Sequence, residues 1–319
     1  MSLYVGRGAY CGIGAESTWG TAVTRTIFHH LVSESVRRNV TKVRRPHLGF
    51  GTAPVSRSHF TSEDTAAGDV EIECYYEGMG LWLKNAFGTS SSTGAGPYTH
   101  TYGISADLPT GLTWERVLGV DASTATARAE VFEGGRITNM RLRCAAGEVM
   151  RATFGMIFET SSTRTSATSP TYSSNDLPVL FSHAGALTFN SVSYSTVKSI
   201  DFSIDNKLEN RVRLGSTNTK QQIRSDFMEC KLRVTADLED DNLITAYTAD
   251  TQGDVSIGFT SGSTSFTITL HNGFLTDYSD STNAAGVIER TFEFTGEYDG
   301  TDAGAQIVIV NSQSTAVAA

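Results

Sequence analysis

The chain is poor in proline, with six in 319 residues, and poorer still in cysteine, with four. No apolar run approaches the ~18 residues of a membrane-crossing helix. Basic charge is in deficit, since 25 Lys and Arg stand against 34 Asp and Glu, for a formal net charge of -9. That balance excludes a nonspecific nucleic-acid binder, which needs a basic face to release counterions. It leaves open a surface that DNA passes without sticking. Cys11, Cys74, Cys144 and Cys230 are widely spread and form no CxxC. Three of them fall on apolar faces of predicted strands, which makes them buried reduced thiols rather than disulfides or metal ligands. The opening MSLYVGRGAYCGIGAESTWG lacks the apolar core of a secretory signal, so a cytoplasm is the expected place of synthesis. Without such a signal, Asn39-Val40-Thr41 is a chance glycosylation sequon.

The motifs of catalysis are missing too. There is no GxSxG, no HExxH, no GKS or GKT and no EF-hand loop. Gly6, Gly8, Gly12 and Gly14 suggest a nucleotide loop, yet no strand precedes them and the third glycine of GxGxxG is absent. His29 and His30 are neighbours on a predicted strand and point to opposite faces, with no second cluster to complete a metal site. The expectation is no catalytic residue, no cofactor and no metal.

Ser, Thr and Gly are plentiful, a composition that suits an all-β protein with many turns. The length admits two domains, each with its own core. In Asp69 to Gly88, DVEIECYYEGMGLWLKNAFG, Val70, Ile72, Cys74 and Tyr76 alternate with Asp69, Glu71, Glu73 and Glu77, and a helical pattern follows. The same design recurs in Phe227 to Tyr247, where Met228, Cys230, Leu232, Val234 and Ala236 form an apolar face and Glu239 to Tyr247 reads as a short helix. These stretches predict a duplicated, all-β architecture with short helices.

Taken in order, residues 1–27 read as an arm that lies on something else and 28–160 as a first domain. Phe28 to Arg38 is its first strand, with Val32 and Val36 on one face. Residues 39–68 form a long hairpin or loop that reaches a neighbouring subunit. Thr89 to Pro97 reads as a flexible link, Leu112 to Leu118 and Thr124 to Phe132 as strands, and Gly134-Gly135 as a tight turn. Arg136 to Cys144 and Glu148 to Glu159 form a hairpin. Residues 161–176 are a Ser/Thr-rich linker, and 177–319 are a second domain with a basic loop, Glu209 to Asp226, that answers the first. Its later strands are Val255 to Thr260, Thr264 to His271, Phe274 to Tyr278, Val287 to Tyr298 and Gln306 to Val310. The basic run Arg37, Arg38, Lys42, Arg44 and Arg45 is the densest charge cluster. Pairing with an acidic neighbouring subunit is preferred there to a solvated loop, and DNA contact comes third.

Four segments carry a family likeness. GIGAESTWGTAVTRTIFHHLVSESV (Gly12 to Val36) resembles the start of tail tube proteins of long-tailed bacteriophages, in which a Gly, an acidic residue, a Ser/Thr pair, an aromatic and Gly-Thr-Ala-Val precede the first strand. GDVEIECYYEGMGLWLKNAFG, RITNMRLRCAAGEVMRATFGMIF and VKSIDFSIDNKLENRVRLGS are similar to later parts of those proteins. The resemblance implies tandem tail-tube barrel or sandwich domains, with the strands of all subunits joined in one inner β-barrel. It also implies rings stacked into a hollow tube for DNA delivery, with no catalytic residue and no cofactor. The implied partners are other copies, in trimeric pseudo-sixfold rings, and tape-measure, tail terminator and distal tail proteins. DNA would pass unbound, and the chain would not enter a membrane. A distal tail or baseplate component is the nearer alternative. A carbohydrate-binding β-sandwich is the rival of another class, and a hydrolase comes last.

In such a tube, strand parity turns Asp69, Glu71, Glu73, Glu77, Asp201, Asp205, Glu289, Glu293 and Glu297 towards the channel. Arg141, Arg143, Lys231 and Arg233 share that parity and are expected to pair with carboxylates across strands or to lie near ring junctions. Arg37, Arg38, Lys42, Arg44 and Arg45 would contact the next ring.

Overall fold

The computed structural model describes residues 4–5, 8–45, 58–121, 127–161, 165–173, 177–237, 241–281, 288–301 and 304–317. Alternating sequence becomes antiparallel sheet almost throughout, and the sheets join into one continuous hydrogen-bonded system. Eight strands make its centre: β1 (Arg37–Arg45), β2 (Ser58–Glu73), β3 (Ala127–Ala145), β4 (Arg151–Phe158), β5 (Val197–Asp205), β6 (Glu229–Asp237), β7 (Thr264–Ser281) and β8 (Glu289–Thr295). Their spatial order is β1-β2-β4-β3-β5-β6-β8-β7. The first four strands therefore run 1-2-4-3, and the last four repeat that order as 5-6-8-7.

The repetition extends to register. Val70 opposes Phe154 as Val234 opposes Phe292, and Arg38 opposes Ala66 as Ile204 opposes Cys230. A β-bulge lies between Ile137 and Asn139 in β3, and another between Leu275 and Asp277 at the matching place in β7. Short helices follow β2 and β6 in turn: α1 (Gly80–Phe87) and α2 (Asn242–Thr248). Seven residues of α1 are buried, and Trp82 stacks on Phe154 at 4.6 Å. In α2 only Leu243 is buried. Residues 239–240, the start of the expected second helix, lie outside the described residues, and the helix begins at Asn242.

Two strands are long because each serves two sheets. The first part of β3 pairs with Leu112–Asp121, which lies beside Tyr10–Ala15, and the latter continues to Ile27–His30. Likewise the first part of β7 lies between Gly253–Ser261 and Ala305–Asn311, and the latter continues to Tyr98–Ile104 and Gly88–Thr93. One main core runs through both halves, from Ile13 and Trp114 to Phe259 and Phe294.

Several local expectations are corrected. The stretch Phe28 to Arg38 is not one strand, because its partner changes: Ile27–His30 pairs with Tyr10–Ala15, and Ser33–Glu34 then pairs with β2. Gly134-Gly135 is not a hairpin turn, since β3 runs through it with a register shift. Gly134 has φ +63, and a Cβ there would come within 2.7 Å of Glu159, which is why glycine stands in this kink. The flexible link is half strand, Gly88–Thr93, turning back on Tyr98–Ile104, which the sequence reading left out. The opening stretch orders within the chain: Tyr10–Ala15 is flanked on both sides, and Cys11 and Ile13 are buried. Glu16 is buried as well and accepts hydrogen bonds from Gly20 N, Thr113 Oγ1 and Gly134 N. In the expected linker, Thr165–Ser166 pairs with β3, and Thr168 donates to Glu115. Residues 46–57 of the long hairpin, 124–126 of an expected strand and Val287 lie outside the described residues.

His29 and His30 do point to opposite sides. His30 is exposed and stacks on Tyr172 at 4.3 Å, whereas His29 is buried with Nε2 3.3 Å from Gly78 O. Burial lowers the His29 pKa from 6.5 to about 4. Between those values the unfolded chain takes up a proton that the folded chain refuses. This contribution is fully present above pH 6.5 and is lost as the pH falls towards about 4, up to about 3 kcal/mol. Urea midpoints at pH 7 and pH 5 should therefore differ less for His29→Asn than for the unaltered chain. Equal differences would refute this assignment.

Candidate functional site: the charged sheet face and the open edges

One face of the central sheet packs on the core through Val70, Ile72, Met140, Leu142, Phe154, Ile204, Leu232 and Phe294. The other carries charge, as period-2 alternation requires. Asp69, Glu71, Glu73, Asp201, Asp205, Glu289 and Glu293 all lie on it, as do Arg141, Arg143, Arg151, Lys231 and Arg233. The sheet curves around this face, leaving a concavity of about 770 Å³ lined by Glu71, Arg141, Arg143, Arg151, Asp201 and Arg233 among others.

Cross-strand ion pairs tile the surface. Arg141 holds Asp201 with both carboxylate oxygens engaged, and Arg143 adds a longer contact at 3.6 Å. Arg151 meets Glu71 at 3.4 Å, and Lys231 meets Glu293 at 3.3 Å. Lys207 bridges Asp205 and Glu229 at 2.8 and 3.0 Å, while Lys198 bridges Asp237 and Glu289. The hydrogen bonds of these two lysines to their carboxylates raise both ammonium pKa values. Exposed pairs of this kind are worth about 0–1 kcal/mol each, so they set the charge pattern more than the stability. The face is thus a mixed lattice of carboxylates and basic side chains. Pairing of Arg141, Arg143 and Lys231 with carboxylates is found as expected.

Two of the expected wall residues sit elsewhere. Glu77 is buried beyond the end of β2 and accepts hydrogen bonds from Ser173 Oγ and Ser312 Oγ, because the alternation stops at Glu73. Glu297 is exposed but lies past the end of β8. Arg151, Glu229, Asp237 and Asp277 were missed, although the same parity rule applied to their strands finds them. Lys198 and Lys207 flank β5 irregularities and left no periodic signal.

Among the described residues, both margins of the sheet are open in the single chain. At one margin β1 pairs only with β2, and its Arg37, Lys42, Arg44 and Arg45 are exposed. Arg38 clasps Asp64 within the same hairpin, so it serves its own chain. At the other, residues 274–281 of β7 pair only with β8. Asp277 lies opposite Glu293 there, two like charges side by side, and Tyr278 is 37% exposed. All four cysteines are buried and unpaired, and burial raises the pKa of Cys11 and Cys230 to about 12 and of Cys144 to about 11.

Among curated proteins, none matches the chain. The family model described as phage tail tube protein matches residues 6–296, nearly the whole length. The chain therefore belongs to the phage tail tube protein family, and its role is that of a structural, self-assembling component of the virion tail.

Proposed function

We propose that three copies of this chain close into a pseudo-sixfold ring, that the rings stack into a tube, and that DNA leaves the virion through it. The carrying observation is the 1-2-4-3, 5-6-8-7 order with its paired bulges, which reads as two tandem tube domains, each supplying four strands of the wall. Inside the chain the domains meet where β3 pairs with β5, Arg141 opposite Ser203 and Met140 opposite Ile204. The same junction between copies brings the open edge of β7 to the open edge of β1, with Asp277 opposite Asn39, Tyr278 opposite Arg38 and Ser279 opposite Arg37. Closure satisfies both edges, and Arg37 arrives diagonally beside Asp277, as Arg141 does beside Asp201. A tube reconstruction should contain three copies per ring. Six copies, each giving one four-stranded unit, would overturn the proposal.

The charged concave face then lines the channel. Its ion-paired lattice offers phosphate no continuous cationic track, so passing DNA gains little from counterion release. The wall has no catalytic part. Replacing Glu71, Glu73 and Glu293 with Lys should leave tubes intact but slow or truncate DNA ejection. Unaltered ejection kinetics, or a reconstruction with Val70 and Ile72 facing the channel, would remove this face from the lumen. The exposed basic residues Arg37, Lys42, Arg44 and Arg45 join copies to one another in this reading.

A further inference from the structure

The outer sheet of the second half carries a surface unlike the rest of the chain. Six strands run side by side in it: Gly88–Thr93, Tyr98–Ile104, Ala305–Asn311, the first part of β7, Gly253–Ser261 and Leu187–Phe189. One face is core, with Tyr102, Phe259, Phe266, Ile268, Ile307 and Ile309 buried. On the opposite face one row of cross-strand neighbours reads Ser91, Thr101, Val308, Thr267 and Gly258. The rows on either side, from Thr93 to Thr260 and from Thr89 to Thr188, hold only Ser, Thr, Gly, Val and Gln. No charge stands in any of the three rows, in contrast to the charged face of the central sheet.

At one end of these rows the connection that follows β8 leaves a concavity of about 380 Å³, lined by Thr89, Ser91, Thr101, Gln306, His271 and Tyr298 among others. The first four of these make no side-chain hydrogen bond among the described residues. Tyr298 is 66% exposed, and its hydroxyl donates to Gly300 O at 2.8 Å, which fixes the ring at the wall of the concavity. Thr301 N donates to Asp299 Oδ1 at 2.7 Å and holds the same connection in shape. His271 continues the outward alternation of β7 past Thr269, yet it is 8% exposed. Its Nδ1 lies 3.5 Å from Asp254 Oδ1, and its Nε2 is buried without a hydrogen-bond partner. Among the described residues, no Asp, Glu, Lys or Arg lines the concavity.

We infer that this concavity binds a neutral saccharide, a hexose unit of a surface glycan. Sugar hydroxyls both donate and accept, and so do the Thr and Ser hydroxyls and the Gln306 amide that converge there. The C–H face of a sugar ring matches the apolar body of Tyr298. A sugar oxygen at the floor supplies the partner that His271 Nε2 lacks. A phosphate or carboxylate would meet no Lys or Arg, and an apolar ligand would strand the polar side chains away from water. A protein partner would find little to anchor on, because Val308 and Val310 are the only apolar side chains in the three rows. The volume falls in the range of small-ligand sites. This site goes beyond the tube role and is complete within one chain, so its test does not depend on ring closure.

Saturation-transfer NMR on the full chain, with the methyl glycosides of glucose, galactose, mannose and N-acetylglucosamine as probes, tests the site. At least one of them should bind with a dissociation constant of order millimolar, the strength that a ligand of one ring reaches. Tyr298→Ala should weaken that binding about fivefold through the lost stacking face, with melting unchanged because the ring is mostly exposed. Gln306→Ala should weaken it too, since a hydrogen-bond partner of the sugar is removed. The 6-phosphate of the preferred sugar should bind about tenfold less tightly than its methyl glycoside, for want of a cation to meet it. Absence of transfer to every probe, binding that survives both substitutions, or equal binding of the phosphorylated sugar would each overturn the inference.

Discussion

Asp280→Pro should yield a folded subunit that no longer forms tubes. In β3 the residues with even numbers turn their backbone groups towards β5: Asn206 N donates to Thr138 O, and Ala146 N donates to Lys198 O. By the shared register, Tyr278 and Asp280 turn theirs to the open edge of β7, while Ser279 faces β8. Proline at 280 therefore leaves the β7–β8 pairing in place. What it removes is an outward N–H, and its ring obstructs an incoming strand, for about 3 kcal/mol at each junction between copies. That is roughly a hundredfold per junction, repeated around every ring. Unchanged circular dichroism and melting together with loss of tubes in negative-stain microscopy is the expected pair of results. Normal tubes would place ring closure somewhere other than this edge.

The largest loss of subunit stability is expected from Glu115→Ala. Glu115 is fully buried, makes an ion pair with Arg25, and accepts from Thr168 N and Thr168 Oγ1 at 2.7 and 2.8 Å. One carboxylate thus ties the opening segment and the Ser/Thr-rich stretch after the first half to the same outer strand. Truncation leaves the guanidinium of Arg25, itself mostly buried, without its counter-charge, for about 3–5 kcal/mol. Melting should fall on the order of 10 °C. The double variant Glu115→Leu with Arg25→Met should recover much of that, because no charge is then stranded. If the single variant melts within a degree or two of the unaltered chain, the ion pair has no such role.

Sequence showed most about the parts in which a residue depends on its own strand. Val70, Ile72 and Cys74, and again Cys230, Leu232 and Val234, declared their faces through alternation alone, and all are buried. Parity likewise placed Glu71, Asp201 and Glu293 on the far face. The misreadings come where the partner decides. Thr89 to Thr93 has the composition of a link but is held by Tyr98–Ile104. The apolar residues of Tyr10–Ala15 are separated by glycines, and that strand exists because Leu112–Asp121 and Ile27–His30 flank it. Gly134-Gly135 reads as a turn because local chemistry does not distinguish a reversal from a bulge inside a strand that changes sheets. Glu77 kept the rhythm of β2 four residues after the strand had ended, and rhythm alone carries no information about where pairing stops.

The β3–β5 junction also bears on how a tube starts to grow. A junction formed between parts of one chain is unimolecular, and linked segments of this kind experience an effective concentration of order millimolar, far above what dilute subunits reach. In the proposed ring, fusion leaves three seams to form between copies rather than six, and the other three are already closed when each chain finishes folding. The rate of nucleation then follows a lower power of subunit concentration. Tubes could be initiated while the protein is still scarce, and growth would be less sensitive to dilution than for an unfused subunit of the same edge affinity.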